Sequence, residues 1–365
     1  MKLFSSLFKH KAPQETTPKF IQKEGECKLV GTQILGKTSF SMNELFRNYP
    51  ISYSNKYKES VWKKAKEIHG HTVLNSGLDV DIMRVCLDHC ESYCANLATL
   101  TQMSKVPCYF DYEESDGNTK RWYLNFADPT LFVACSGSLF AQDEIQTLEH
   151  PLLCIIRPFL AMNHFPGLEI YTHTEGRSTP YLFTNIPYLI DVNTKPELPD
   201  GRIVSIYGNA FSYYEHKDPS VLDMAIKVRE KVSYSNIIAM AAPRPSYGNY
   251  EKDTIIEMLS TTISAFEGAK HMSEDKTVEI HTGRWGAGAF GGNEELALIV
   301  QMIGAMIAEI EKIVFHAVND GCYENAVNEA NNIIQLYKQD EIEFVENIAE
   351  YLYKKKYQWG VSDGN

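Results

Sequence analysis

The segment Thr282-Gly283-Arg284-Trp285-Gly286-Ala287-Gly288-Ala289-Phe290-Gly291-Gly292-Asn293 packs five glycines and two aromatic rings into twelve residues. Thr277-Val278-Glu279-Ile280-His281 before it reads as a strand, and apolar residues recur at helical spacing from 294 to 310 after it. A strand that runs through glycines into a helix turns backbone N–H groups toward an anion. Side chains there would block close approach or forbid the positive φ that such a loop needs. Trp285 and Phe290 stand where a flat ring could be packed or covered.

The rest of the chain supplies the elements around that loop. Helical spacing is expected over 43–46, 61–68 and 79–103. Aromatic-rich runs at 108–112 and 122–126 flank Ser115-Asp116-Gly117-Asn118 and read as a hairpin. Further strands are expected at 168–172, 202–207 and 236–241, and helices at 220–231, 252–268, 294–311 and, as a pair, 323–355. Strands alternating with helices imply an α/β sheet covered on both faces. Residues 1–24 are polar and read as a flexible arm, 25–105 as a helical accessory region, and 106–365 as the main domain.

Composition excludes several functions. A net charge of −12 argues against holding a nucleic-acid backbone by bulk electrostatics, so an anionic ligand must be held by local dipoles. No run approaches the roughly 18 apolar residues of a membrane span. The opening Met1-Lys2-Leu3-Phe4-Ser5-Ser6-Leu7-Phe8-Lys9 has too short an apolar stretch for a secretory signal, which predicts an intracellular, cytoplasmic protein, or a nuclear one in a eukaryote. Eight scattered cysteines suit a reducing compartment. Cys86, Cys90 and Cys94 are spaced by four and would stack on one helix face, where core packing suits them better than a tetrahedral metal. His69, His71, His164, His216 and His271 show no ligand spacing and are expected at the surface.

The segment 282–293 resembles the phosphate loop of the poly(ADP-ribose) glycohydrolase family, a branch of the macrodomain fold, with Asn293 where the family tends to be acidic. Lys312 to Asp320 resembles that family's next strand and loop, and Ala241-Ala242-Pro243-Arg244-Pro245 its strand-end motif. Ala317 falls near an adenine-contacting phenylalanine of animal members. A second likeness lies at Leu124-Asn125-Phe126-Ala127 and Gln142-Asp143-Glu144, where the family has a strand, a triple-glycine loop and then Gln-Glu-Glu at a helix start. The intervening loop departs: Phe132-Val133-Ala134-Cys135-Ser136-Gly137 keeps one glycine.

The resemblance spans roughly 106–340 and implies a three-layer α/β/α macrodomain-like fold with a mixed central sheet and an N-terminal helical extension. It implies hydrolysis of the ribose–ribose linkages of poly(ADP-ribose) carried by modified proteins, with no cofactor, metal, nucleic acid or membrane. Glu144 is then the catalytic acid and Asp143 orients hydroxyls. Gln142, Asn125, Ala127, Gly137, Gly283, Arg284, Trp285, Gly286, Ala287, Gly288, Ala289, Phe290 and Gly291 contact the ligand, with Tyr181 or Phe183 as a stacking ring. An oxocarbenium-like transition state needs one carboxyl to protonate the leaving oxygen and then activate water, a role that burial near an apolar wall would favour for Glu144. Two alternatives stay open. Gln142, Asp143 and Glu144 also suit the first turn of a helix, and the altered loop suits a silent reader of ADP-ribose.

Overall fold

The computed structural model describes residues 31–98 and 101–362; the expected arm at 1–24, and Cys27, lie outside the described residues. Ten strands and ten α-helices follow one another among them. They are β1 (Thr32–Ser41), α1 (Met42–Asn48), α2 (Lys56–Leu74), β2 (Asp79–Leu87), β3 (Gln102–Val106), β4 (Thr119–Ala127), α3 (Gln142–Glu149) and α4 (Leu153–Asn163). Then come β5 (His173–Thr174), β6 (Arg177–Ser178), β7 (Tyr181–Val192), α5 (Asn209–Lys217), α6 (Pro219–Ala225), β8 (Ile226–Ala241) and α7 (Lys252–Met272). The chain continues with β9 (Thr277–Thr282), α8 (Glu294–Ile307), β10 (Lys312–His316), α9 (Asp320–Lys338) and α10 (Val345–Lys354). Eight strands form one mixed sheet in the order β1-β2-β7-β8-β4-β9-β10-β3, antiparallel from β1 to β8 and parallel from β8 to β3.

Strand alternation divides the core into two layers. Trp122 and Leu124 of β4, with Ile238 and Met240 of β8, face α7, α8, α9 and α10. Tyr123, Ile237 and Ala239 point the other way, toward α2, α3, α4 and α6. The sheet is thus covered on both faces by helices, the three-layer α/β/α arrangement.

Several local expectations are corrected. Residues 79–87 form a buried strand, not a helix, so Cys86, Cys90 and Cys94 make no helical stripe; Cys86 and Cys90 are buried and Cys94 is exposed. The segment 25–105 is not wholly helical: β1 and β2 extend the sheet and α2 packs on its face. The hairpin at 108–126 does not form, because β4 pairs in parallel with β8 and β9 and the 116–119 turn closes on the Asp116 carboxylate. Runs 168–172 and 202–207 make only isolated bridges. The helix expected over 220–231 ends at Ala225, where β8 begins. His69 is buried, with Nε2 2.8 Å from the Arg229 carbonyl oxygen.

Candidate active site

Parallel strands in a covered sheet end together, and the crevice beyond their carboxyl ends is where such folds bind ligands. Here β4 ends at Ala127, β8 at Ala241, β9 at Thr282 and β10 at His316, and a cleft of about 470 Å³ opens beyond them. Its walls bring together Phe126, Ala127, Gln142, Asp143 and Glu144 from one half, and Gly283, Arg284, Gly286, Gly288, Ala289 and Phe290 from the other. The two motifs, far apart in sequence, meet because β4 and β9 are neighbours.

The glycine loop is tightly folded. Gly286 and Gly291 have φ of 71° and 63°, in the left-handed region. Ala287 N–H bonds Arg284 O at 3.0 Å, Gly291 N–H bonds Gly288 O at 2.9 Å, and Gly292 N–H bonds Gly286 O at 2.9 Å. The N–H groups of Gly288, Ala289 and Phe290 donate to no carbonyl among the described residues, and all three residues line the cleft. Unpaired donors in a concave turn make an anion cradle. Trp285 is buried and donates its indole N–H to Met240 O at 3.1 Å, so it pins the loop to β8 and is no lid over a ligand. The Arg284 guanidinium is held by Glu294 at 2.9 Å. Ala287 and Gly291 do not reach the cleft wall.

The acidic segment opens α3, whose first turn faces the same space. Gln142 Oε1 accepts the N–H of Phe126 at 2.7 Å and its Nε2 donates to Leu124 O at 2.9 Å. Pairing of β4 with β9 stops at Tyr123, so this side chain satisfies backbone groups that the departing strand leaves behind. Gln142 therefore fixes α3 to β4. Buried Asn125 donates to Asp143 Oδ1 at 3.0 Å and does not line the cleft. Burial, and then the neighbouring Glu144, push the Asp143 carboxyl up to about 8, opposed by the Asn125 bond and by Lys58. One oxygen of Glu144, Oε2, accepts the N–H of Ala141 at 3.0 Å as a helix cap. Cap and cleft-lining residue are thus the same side chain.

The altered loop is braced from behind. Lys58, fully buried at the start of α2, donates its ammonium to Leu139 O at 2.8 Å and Cys135 O at 3.4 Å. Burial lowers its pKa, against the opposing pull of Glu144 and Asp143. Asn55 N–H bonds Ser136 O at 2.9 Å. Cys135 is buried, and of the loop's side chains Ala134 lines the cleft; Gly137 does not.

Tyr181 and Phe183 are corrected. Both are fully buried in β7, paired to β2 and β8 in mid-sheet, and neither faces the cleft. The rings that sequence reasoning missed are Tyr109 and Phe110, and Tyr207 on the wall built by residues 194–207 with Thr194, Lys195 and Ser205. For Tyr207, an aromatic in a polar stretch was the available signal. His316 also lines the cleft, but both ring nitrogens are engaged, Nδ1 at 3.2 Å from Cys108 O and Nε2 at 2.9 Å from His281 Nδ1. Burial, with His281 beside it, depresses its pKa to about 4, so it stands as a neutral wall rather than a proton donor.

Residues 202–325 match the sequence model of the poly(ADP-ribose) glycohydrolase family, of macro domain fold. That match covers about a third of the chain. The match takes in the glycine loop and β10 and leaves α3 outside it. No curated protein sequence matches the chain. It is similar to the solved poly(ADP-ribose) glycohydrolase of Thermomonospora curvata bound to the inhibitor ADP-HPD, at 12% identity and TM-score 0.41, over 75% of this chain and 100% of that one. It is similar also to the Deinococcus radiodurans poly(ADP-ribose) glycohydrolase in complex with ADP-ribose, at 12% identity and TM-score 0.38, over 80% and 94%.

Proposed function

We propose that the cleft binds a terminal ADP-ribose unit and that the protein hydrolyses the ribose–ribose linkages of poly(ADP-ribose) on modified proteins. The observation that carries this reading is the convergence of Glu144 and the unpaired N–H groups of Gly288, Ala289 and Phe290 in one cleft. The diphosphate rests on those N–H groups. The scissile linkage lies toward the first turn of α3. Glu144 protonates the departing ribose oxygen as the anomeric C–O bond breaks, and the positive charge spreads over the ring carbon and oxygen. Water then adds to the anomeric carbon and returns a proton to Glu144. Asp143, which retains its proton through neutral pH, donates a hydrogen bond to a sugar hydroxyl.

The test is ADP-ribose calorimetry together with release of ADP-ribose from the polymer, for wild type and Glu144→Gln. The amide keeps the cap on Ala141 and the shape, yet cannot cycle a proton. Turnover should fall on the order of 10²–10⁴-fold with affinity nearly intact. Binding without turnover in the wild type would leave a reader of ADP-ribose. Neither binding nor turnover would leave the fold alone.

A further inference from the structure

We propose that residues 357–362, which follow α10, hold the glycine loop in its ligand-binding conformation, with Trp359 and Ser362 as positioning residues. The inference rests on the reading of the cleft as an ADP-ribose site. Ser362 Oγ donates to Ala289 O at 2.6 Å, and Gly360 N–H donates to Gly291 O at 2.8 Å. Asn293, the cap of α8, donates its amide to Gln358 O at 3.1 Å. The Trp359 ring lies flat on Tyr250, with centroids 4.1 Å and planes 11° apart, and the Tyr250 hydroxyl accepts the Asn293 N–H at 3.0 Å. Backbone bonds from Trp359 N–H to Gly248 O and from Tyr250 N–H to Tyr357 O, each 2.9 Å, fasten the segment to the turn before α7. The fit leaves no slack: a Cβ on Gly291 would lie 2.7 Å from the Ser362 nitrogen.

These contacts determine which way the loop's donors point. In a planar trans peptide the C=O and the following N–H are antiparallel. The Ala289 carbonyl is drawn outward to Ser362, so the Phe290 N–H is turned toward the cleft, where Ala289 and Phe290 form part of the wall. Loops rich in glycine have many alternative paths. A loop that holds the productive path only part of the time binds more weakly in proportion to that fraction. The segment therefore acts on affinity and leaves the chemical step at Glu144 alone.

The experiment titrates ADP-ribose into wild type, Trp359→Ala, Trp359→Phe and Ser362→Ala, each at a temperature where its circular dichroism is native, and measures turnover of poly(ADP-ribose). If the loop of Trp359→Ala holds its path about a tenth of the time, its Kd and KM rise about tenfold while kcat stays within about twofold. Ser362→Ala should weaken binding about threefold, and Trp359→Phe should bind as wild type. Should Trp359→Ala fail to fold, Ser362→Ala decides. A wild type that binds, with alanine variants that bind equally well, overturns the inference; so does a fall in kcat at unchanged Kd. A ligand-free readout separates this from failure of the cleft reading. Amide exchange at Gly291 and Gly292, bonded within the loop, should quicken in both alanine variants, and unchanged exchange overturns the proposal whether or not ADP-ribose binds.

Discussion

Lys58→Met tests what braces the loop at 132–137. Methionine nearly fills the volume of lysine but donates nothing. The substitution strands the Leu139 and Cys135 carbonyls, at 2.8 and 3.4 Å from the lost ammonium, and removes the cation over the Phe140 ring at 5.5 Å. A hydrogen bond from a charged donor is worth about 1.5–3 kcal/mol, and the longer contact adds less. Relief of the buried charge offsets part of this. A net loss of about 2 kcal/mol in unfolding free energy is expected, read by urea denaturation as a shift of midpoint at constant slope. A purely packing role would end there. Lys58 is also among the groups that hold the Asp143 carboxyl down, so its loss should move that carboxyl above about 8, and with it the alkaline limb of the turnover profile. Unchanged stability with an unshifted limb would refute the argument. Lower stability with an unshifted limb would leave Lys58 as a brace without electrostatic reach.

Gly286→Ala should lower stability and ADP-ribose affinity together, since φ is 71° there and the new methyl would sit 2.6 Å from the Ala242 Cβ. The left-handed conformation alone costs about 1–2 kcal/mol, about a five- to thirtyfold loss by calorimetry if expressed in binding; an unaffected variant would show that the loop does not need this path. Asp143→Asn should flatten the dependence of stability on pH. A carboxyl raised to about 8 in the fold binds a proton that the unfolded chain releases near 4, so wild-type stability falls as pH rises between those values. Melting temperatures from pH 5 to 8 that decline equally in both proteins would contradict it.

The parts of the site that were legible in the sequence are those whose chemistry is local. Five glycines between a strand and a helix admit few structures, and β9, the loop and α8 follow their expected order. The same holds for Gln142, Asp143 and Glu144, since acidic residues opening an apolar run suit a first turn. What escaped was set by tertiary placement. Tyr181–Val192 lies in mid-sheet with both faces covered, so its side chains lack the polar alternation of a half-buried strand. Asp79–Leu87 is buried over most of its length for the same reason, and with Arg84 buried among its apolar residues it shows no clean polar alternation to set it apart from a helix by periodicity. Nothing in Lys56-Tyr57-Lys58 distinguishes the lysine that is wholly buried from its neighbours.

The charge distribution then sets the two loops around the cleft apart. Around the cleft, Asp128, Asp143 and Glu144 are acidic, Arg284 is committed to Glu294, and Lys58 lies behind the wall with its ammonium on two carbonyls. Lys195 is exposed at the mouth. The diphosphate of the proposed ligand would find little cationic help here, and its charge would be met by peptide N–H groups held in a fixed concave turn. Those groups belong to 288–290, where a Cβ on Gly286 or Gly292 would collide with Ala242 or with the Gly286 carbonyl. At 132–137 the backbone is instead fastened outward by Asn55 and Lys58, and Cys135 is buried away from the cleft. Small side chains suit that loop because its carbonyls are turned to Asn55 and Lys58, leaving Ala134 as its one residue on the cleft wall.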